Sequence, residues 1–223
     1  MAKILIKNAE IITAKDTDKY YIGILDDTIQ VISKELPQGY ENAQIIDAEG
    51  KIAVPGMVNT HTHAAMTLLR SYADDMVLMD WLQNKIWPAE DGLTDDDIYW
   101  GTMLSIAEML KTGTTCFADM YFAMNRVADA VEETGIRAAL SRGLTGFSDE
   151  NYAKLEENAA LFKERHNSAG GRIHVMLGPH APYTCSVDTL KMLSPKLSSL
   201  AAKFIFTFAK PKAKLTTALK NTA

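Results

Sequence analysis

Apolar and polar positions alternate in short runs through the first 54 residues, the period of half-buried β-strands. KILIKNAEIIT reads as one strand. YIGILDDTIQVIS holds two short apolar runs around the turn signal Asp26-Asp27, and AQIIDAEGKIAVPG two more around Glu49-Gly50. The expected product is a small β unit.

Beyond Pro55 the period changes. GMVNTHTH is a short apolar run ending in histidines, and AAMTLLRSYADDMVLMDWLQNKIW has helical spacing. Thr94, followed by three aspartates, should cap a helix over IYWGTMLSIAEMLKTG that stops at Gly113. TTCFADMY reads as a buried strand, NRVADAVEETG as a helix, IRAALSRGL as a strand and ENYAKLEENAALFKERHNS as an amphipathic helix. RIHVMLGPHAPYTC then reads as a strand with a loop, and SVDTLKMLS opens another helix. Strand and helix alternate, which predicts a parallel sheet with crossover helices. About four such units fit before residue 194, and a complete (β/α)8 barrel takes about 250 residues. The expected fold is therefore α/β: the first half of a TIM barrel, preceded by a small β-sandwich segment. The expected boundaries are 1–55 for the β segment, 56–194 for the half barrel and 195–223 for a basic tail.

Composition narrows the function classes. An apolar fraction of 47% and a charged fraction of 23% are ordinary for a globular protein. A net charge of −5 argues against nucleic acid as a partner. No apolar run approaches the ~20 residues of a membrane span. Cys116 and Cys185, without an N-terminal apolar signal, suggest a reducing cytoplasm and incidental thiols.

The candidate chemistry begins at His61 and His63. Residues i and i+2 of a strand point to one side, and the C-terminal ends of barrel strands are where such enzymes keep their sites. Two imidazoles there can share a metal. The plainer alternative is a strand-to-helix junction with two exposed histidines.

PGMVNTHTH resembles the metal-binding strand of the amidohydrolase superfamily. MTLLRSYADDMVLMDWLQNKIWPAED, GTTCFADMY, SRGL and MLGPHAPYTC extend the resemblance over about residues 1 to 193, toward the 5-methylthioadenosine/S-adenosylhomocysteine deaminase branch. The resemblance implies that His61 and His63 are zinc ligands. It implies that Glu90 is a ribose-binding carboxylate, and that Arg142 and His180 contact substrate. Read without it, Glu90 is a helix-end acid, Arg142 a barrel-mouth ion pair and His180 a loop histidine. His166 and His174 are read as structural. Asp119, in CFADMY, has a place behind the site as one reading, but an ordinary buried strand acid is the stronger one. The implied reaction is hydrolytic deamination by an aminohydrolase: zinc-activated water attacks C6 of an adenine ring while a carboxylate moves the proton. The implied partner is a small-molecule adenosine thioether, and the full-length parent leaves room for a homo-oligomer. The alternatives are another amidohydrolase, such as a guanine deaminase or chlorohydrolase, and a non-catalytic half-barrel fragment.

The family pattern also calls for H-x-H-x-x-E-T on the next strand and an aspartate later. Neither occurs, since no histidine follows His180 and no acid follows Asp188. The last 35 residues carry seven lysines. A basic surface tail is one explanation. The genetic code offers another. The codons of FIFTFAKPK, residues 204–212, read one nucleotide earlier, permit I-H-I-H-x-C-E-T. A one-nucleotide frameshift near Ser194-Pro195 is the expectation, with a chain that is poorly stable, binds zinc weakly and lacks deaminase activity.

Overall fold

A computed structural model describes residues 2–12, 17–145, 150–181, 184–200 and 202–205. The chain divides into two compact units, Met1–Pro55 and Gly56–Ala223. The first is one four-stranded sheet of β1 (Lys3–Ile12), β2 (Thr17–Leu25), β3 (Thr28–Ser33) and β4 (Gln44–Asp47) in the order β3-β2-β1-β4. The β1–β4 pair is parallel and the others are antiparallel. Asp26, with φ 53°, turns β2 into β3 where Asp26-Asp27 signalled it. The strand expected after Gly50 shrinks to one bridge, Ile52 to Glu10. Only four residues separate Gly50, turned at φ 71°, from Pro55, which has no N–H to extend a ladder. Ala9, Ile22 and Ala48 form the core of this unit.

The second unit opens with β5 (Met57–Thr62), followed by a 3-10 turn (Ala64–Leu69), α1 (Leu78–Trp81), a π turn (Leu82–Ile86) and α2 (Trp87–Glu90). The stretch 64–87, expected to be helical, is thus broken into short pieces. Its apolar residues serve two surroundings: Ala64 and Ala65 are buried in the core, whereas Tyr72, Met76 and Val77 are exposed. Next come α3 (Asp95–Lys111), β6 (Thr114–Tyr121), α4 (Met124–Thr134), β7 (Arg137–Leu144) and α5 (Glu150–Arg165). A short α6 (Ser168–Gly171), β8 (Ile173–Val175), β9 (Gly178–Pro179) and α7 (Val187–Leu200) complete the unit. The strands are parallel in the order β5-β6-β7-β8, with β9 also on β7. This curled parallel sheet with crossover helices is half of a barrel. Helix α7 runs through Pro195 without a break in its assignment. Residues 206–223, most of the expected basic tail, lie outside the described residues.

Local chemistry accounts for the helix ends. Thr94 accepts from the Asp97 amide at 3.2 Å while the Asp97 carboxylate accepts from the Thr94 amide at 2.8 Å, a reciprocal cap on α3. Gly135 ends α4 at φ 78°. The core joins strand residues Phe117, Leu140 and Ile173 to helix residues Ile98, Ile106, Val127 and Val131, all fully buried. Gly101 allows α3 to approach the 3-10 turn, since a Cβ there would meet the Ala65 carbonyl oxygen at 2.6 Å. No helix among the described residues is long and apolar enough to cross a membrane.

His166 ties the end of α5 to β8. Its Nδ1 accepts from the Val175 amide at 3.0 Å, and its ring stacks on Phe162 at 4.2 Å. Burial and the nearby His174 hold its pKa below the ordinary value. The unfolded chain therefore takes this proton first, so the contribution is complete above about pH 6.5 and is lost as pH falls below it. Urea unfolding at pH 8 and pH 5 should show a smaller loss of stability on acidification in His166→Gln than in the parent. Equal losses would remove His166 from the account.

Candidate active site

Parallel strands bring their C-terminal ends to one rim, and the predicted site residues sit along it. His61 lies in β5 and His63 just beyond it, at the N-cap of the 3-10 turn. The β5–β6 register is irregular between Asn59 and Thr62, so the simple i, i+2 rule bends here. The two rings still meet edge to face, 5.3 Å between centroids. Strand β6 grips them from behind. Asp119 Oδ1 accepts from the Thr62 hydroxyl and from the Ala64 amide, each at 2.8 Å. His63 Nδ1 lies 2.6 Å from the Met120 carbonyl oxygen. A carbonyl can only accept, so Nδ1 is the donor, and in the neutral ring the lone pair lies on Nε2. Asp119 is fully buried, which pushes its carboxyl upward in pKa, and its Oδ2 has no hydrogen-bond partner among the described residues.

The other residues come from separate elements. Glu90 closes α2, after the π turn that redirects the chain into the rim. Burial raises its pKa, against the Tyr121 hydroxyl, which donates to Oε1 at 2.6 Å. Arg142, near the end of β7, places Nε 2.6 Å from Glu157 Oε2 and donates from Nη1 to the Gly143 carbonyl at 3.0 Å. His180 follows β9, with Nδ1 2.8 Å from the Thr184 hydroxyl oxygen. Burial, then the other two histidines, lower its pKa to about 4, so the ring is neutral near pH 7. Burial also lowers that of His61.

One cavity of about 380 Å³ is lined by all five predicted residues, His61, His63, Glu90, Arg142 and His180. That is enough for a small organic ligand. Its walls are apolar and aromatic, with Met66, Leu78, Trp81, Leu82, Trp87 and Phe122. Sequence reasoning missed Tyr121 and Thr184, which hold Glu90 and His180. The position of Tyr121 at the end of the FADMY strand was the available signal. Among the described residues no group of three His, Cys, Asp or Glu is placed to hold a metal ion. His61 and His63 fit a metal as part of a ligand set: their rings converge, burial lowers the pKa of His61, and the His63–Met120 contact orients Nε2 outward as ligand histidines require.

The profile of the amidohydrolase family matches residues 52–204. The chain belongs to the amidohydrolase family. It is 50% identical over 209 residues to a 5-methylthioadenosine/S-adenosylhomocysteine deaminase of Pelotomaculum thermopropionicum, covering 91% of this chain and 47% of that one. A protein of the same name from Moorella thermoacetica is 48% identical over 204 residues, covering 90% and 48%. The chain thus spans about half the length of the curated relatives it matches. Among solved structures, a zinc-bound adenosine deaminase from Xanthomonas campestris superposes with a TM-score of 0.85 at 24% identity, covering 98% of this chain and 52% of that one. A guanine deaminase from C. acetobutylicum gives 0.80 at 20% identity, covering 99% and 57%. These likenesses establish the amidohydrolase barrel as the fold.

In this amidohydrolase half barrel Asp119 is the support of the histidine segment. Asp119→Ala leaves the buried Ala64 amide without its acceptor and should cost about 2–3 kcal/mol. Asp119→Asn keeps an acceptor at Oδ1 and should cost less than half of that. Denaturant unfolding of both variants checks the contrast, and equal losses would show that the hydrogen bond is not what stabilises the turn.

Proposed function

We propose that the chain is the N-terminal half of a metal-dependent aminohydrolase that deaminates 5-methylthioadenosine and S-adenosylhomocysteine. The observation that carries this reading is the meeting of His61, His63, Glu90, Arg142 and His180, from four separate segments, on one cavity of nucleoside size. The names of relatives at about half identity support the choice of substrate.

His61 and His63 would hold the metal. Zinc is the proposed ion, although two imidazoles accept iron or manganese as well. What a divalent ion supplies at such a site is Lewis acidity, the means of making water a nucleophile at neutral pH. The remaining work falls to the chain's own groups. Glu90 accepts hydrogen bonds from ribose hydroxyls. Neutral His180 offers a ring nitrogen to a polar atom of the ligand. The Arg142 guanidinium directs donors toward the rim. Trp81, Trp87 and Phe122 cover the flat base and keep bulk water from it.

A catalytic zinc takes three protein ligands and a water, so two histidines are an incomplete set. The described end of the chain bears on where the rest belongs. The Leu177 amide donates to the Lys203 carbonyl at 2.8 Å, and the Ile205 amide to the Leu177 carbonyl at 2.9 Å. Phe204 thereby bridges Leu177 in parallel, in the place of a next barrel strand. Read one nucleotide earlier, the codons at 205 and 207 permit histidine. This supports the frameshift reading, although residues 206–212 lie outside the described residues.

Three experiments test the proposal. Cobalt titration of the chain should detect weak binding that His61→Ala or His63→Ala abolishes. The chain as written should turn over no adenosine thioether, whereas a frame-restored full-length protein should prefer the two thioethers to guanine, cytosine and chlorotriazines. A guanine or triazine preference would replace the substrate assignment, and unchanged cobalt binding in the histidine variants would refute the metal assignment. Resequencing the gene across codons 185–223 should reveal one extra or missing nucleotide. A confirmed sequence would leave a genuine half barrel and end the frameshift reading.

A further inference from the structure

Tyr121 is the buried group at the rim to which the proposed chemistry assigns no part. It is the last residue of β6 and is 7% exposed. Its ring is held on two sides, stacked on Phe122 at 4.4 Å and 6.1 Å from the His63 ring. Its backbone is fixed in the parallel ladder opposite Arg142. The hydroxyl therefore has little freedom, and it donates to Glu90 Oε1 at 2.6 Å. Glu90 is in the opposite situation. It ends a four-residue helix that has no side-chain cap, on a segment already broken by a π turn. A glutamate so placed has many rotamers to lose before it can bind anything.

We propose that Tyr121 is a positioning residue for Glu90, holding the carboxylate in the one orientation from which it can accept both hydroxyls of a vicinal diol. The inference rests on the nucleoside reading above and names the group that makes ribose recognition specific. A carboxylate has about four acceptor positions, so the phenol takes one and leaves the others to the ligand. The phenol stays a donor at every physiological pH, because burial and the adjacent Glu90 both push its ionisation upward. A rigid donor that pre-sets a flexible acceptor lowers the ordering cost of binding.

The test uses the full chain and binding rather than turnover. Trp81 and Trp87 line the cavity, whereas the third tryptophan, Trp100, does not line it. Tryptophan emission therefore reports occupancy. The ligands are 5′-methylthioadenosine and its 2′,3′-dideoxy analogue. The parent chain should bind the diol at least about tenfold more tightly, from hydrogen bonds to a charged acceptor. Glu90→Gln should lose most of that preference. Tyr121→Phe, which removes one oxygen and keeps the ring, should reduce it to about threefold or less while leaving the dideoxy affinity unchanged. A preference lost in Glu90→Gln but intact in Tyr121→Phe would overturn the proposal and leave the ribose reading standing. No diol preference in the parent would show that Glu90 does not meet the ribose, and both would fall. The rotamer of Glu90 in a crystal structure of Tyr121→Phe is the second measure, and an unmoved side chain would also overturn the proposal.

Discussion

The bond between the Asp119 carboxylate and the Thr62–Ala64 turn is the constraint on which the rim depends. Strand β5 is at the edge of the described sheet and pairs with β6 alone. Its ladder lapses between Asn59 and Thr62, where the first histidine sits. Backbone pairing therefore cannot hold the histidine segment in place. Side-chain and carbonyl contacts from β6 take over: Asp119 binds the residues on either side of His63, and Met120 binds His63 itself. Burying a carboxylate is costly, and two hydrogen bonds on one oxygen offset only part of that cost. A core position would normally carry an apolar residue. The acid makes sense where the strand behind it must fix the geometry of the strand in front.

With β5 fixed to β6, the topology supplies the rest. Parallel strands end on one side, so Tyr121, Arg142 and His180 reach the same rim from strands spaced across the sheet. Glu90 arrives differently, from the connection after β5, and the π turn before it sets its approach. The rim residues hold one another in pairs: Tyr121 with Glu90, Arg142 with Glu157, Thr184 with His180. Glu90, Arg142 and His180 are thereby oriented by neighbours before a ligand arrives, which is the condition for recognition without large ordering costs.

Most of the elements were legible because their ends carry local chemistry. Thr94 with Asp97, Gly135 and Asp26 each solve a hydrogen-bonding or φ problem within a few residues, and such solutions are visible in one dimension. The broken segment 64–90 was not legible as such. Its apolar spacing looks helical, but the interruptions answer to α3 and to the cavity, which the local pattern does not contain. The five candidate residues were found through family motifs, and their spacing alone would have supported only the histidine pair. Tyr121 escaped because a tyrosine closing a buried strand looks like core, and its partner Glu90 is 31 residues away.

The charge balance of the cavity narrows the class of ligand further. Its cation, Arg142, is already paired with Glu157, and its acid, Glu90, is engaged by a neutral phenol. His61 and His180 are both pushed toward the neutral form by burial. The remaining surface is largely aromatic and aliphatic. A phosphorylated nucleotide would bring two negative charges to a place where the guanidinium is half neutralised and apolar walls offer no hydration. A neutral base on a sugar with an apolar 5′-substituent would bury its flat and greasy parts and still find a carboxylate for its hydroxyls. Under the proposed function, thioether nucleosides would meet these conditions better than phosphorylated nucleotides would.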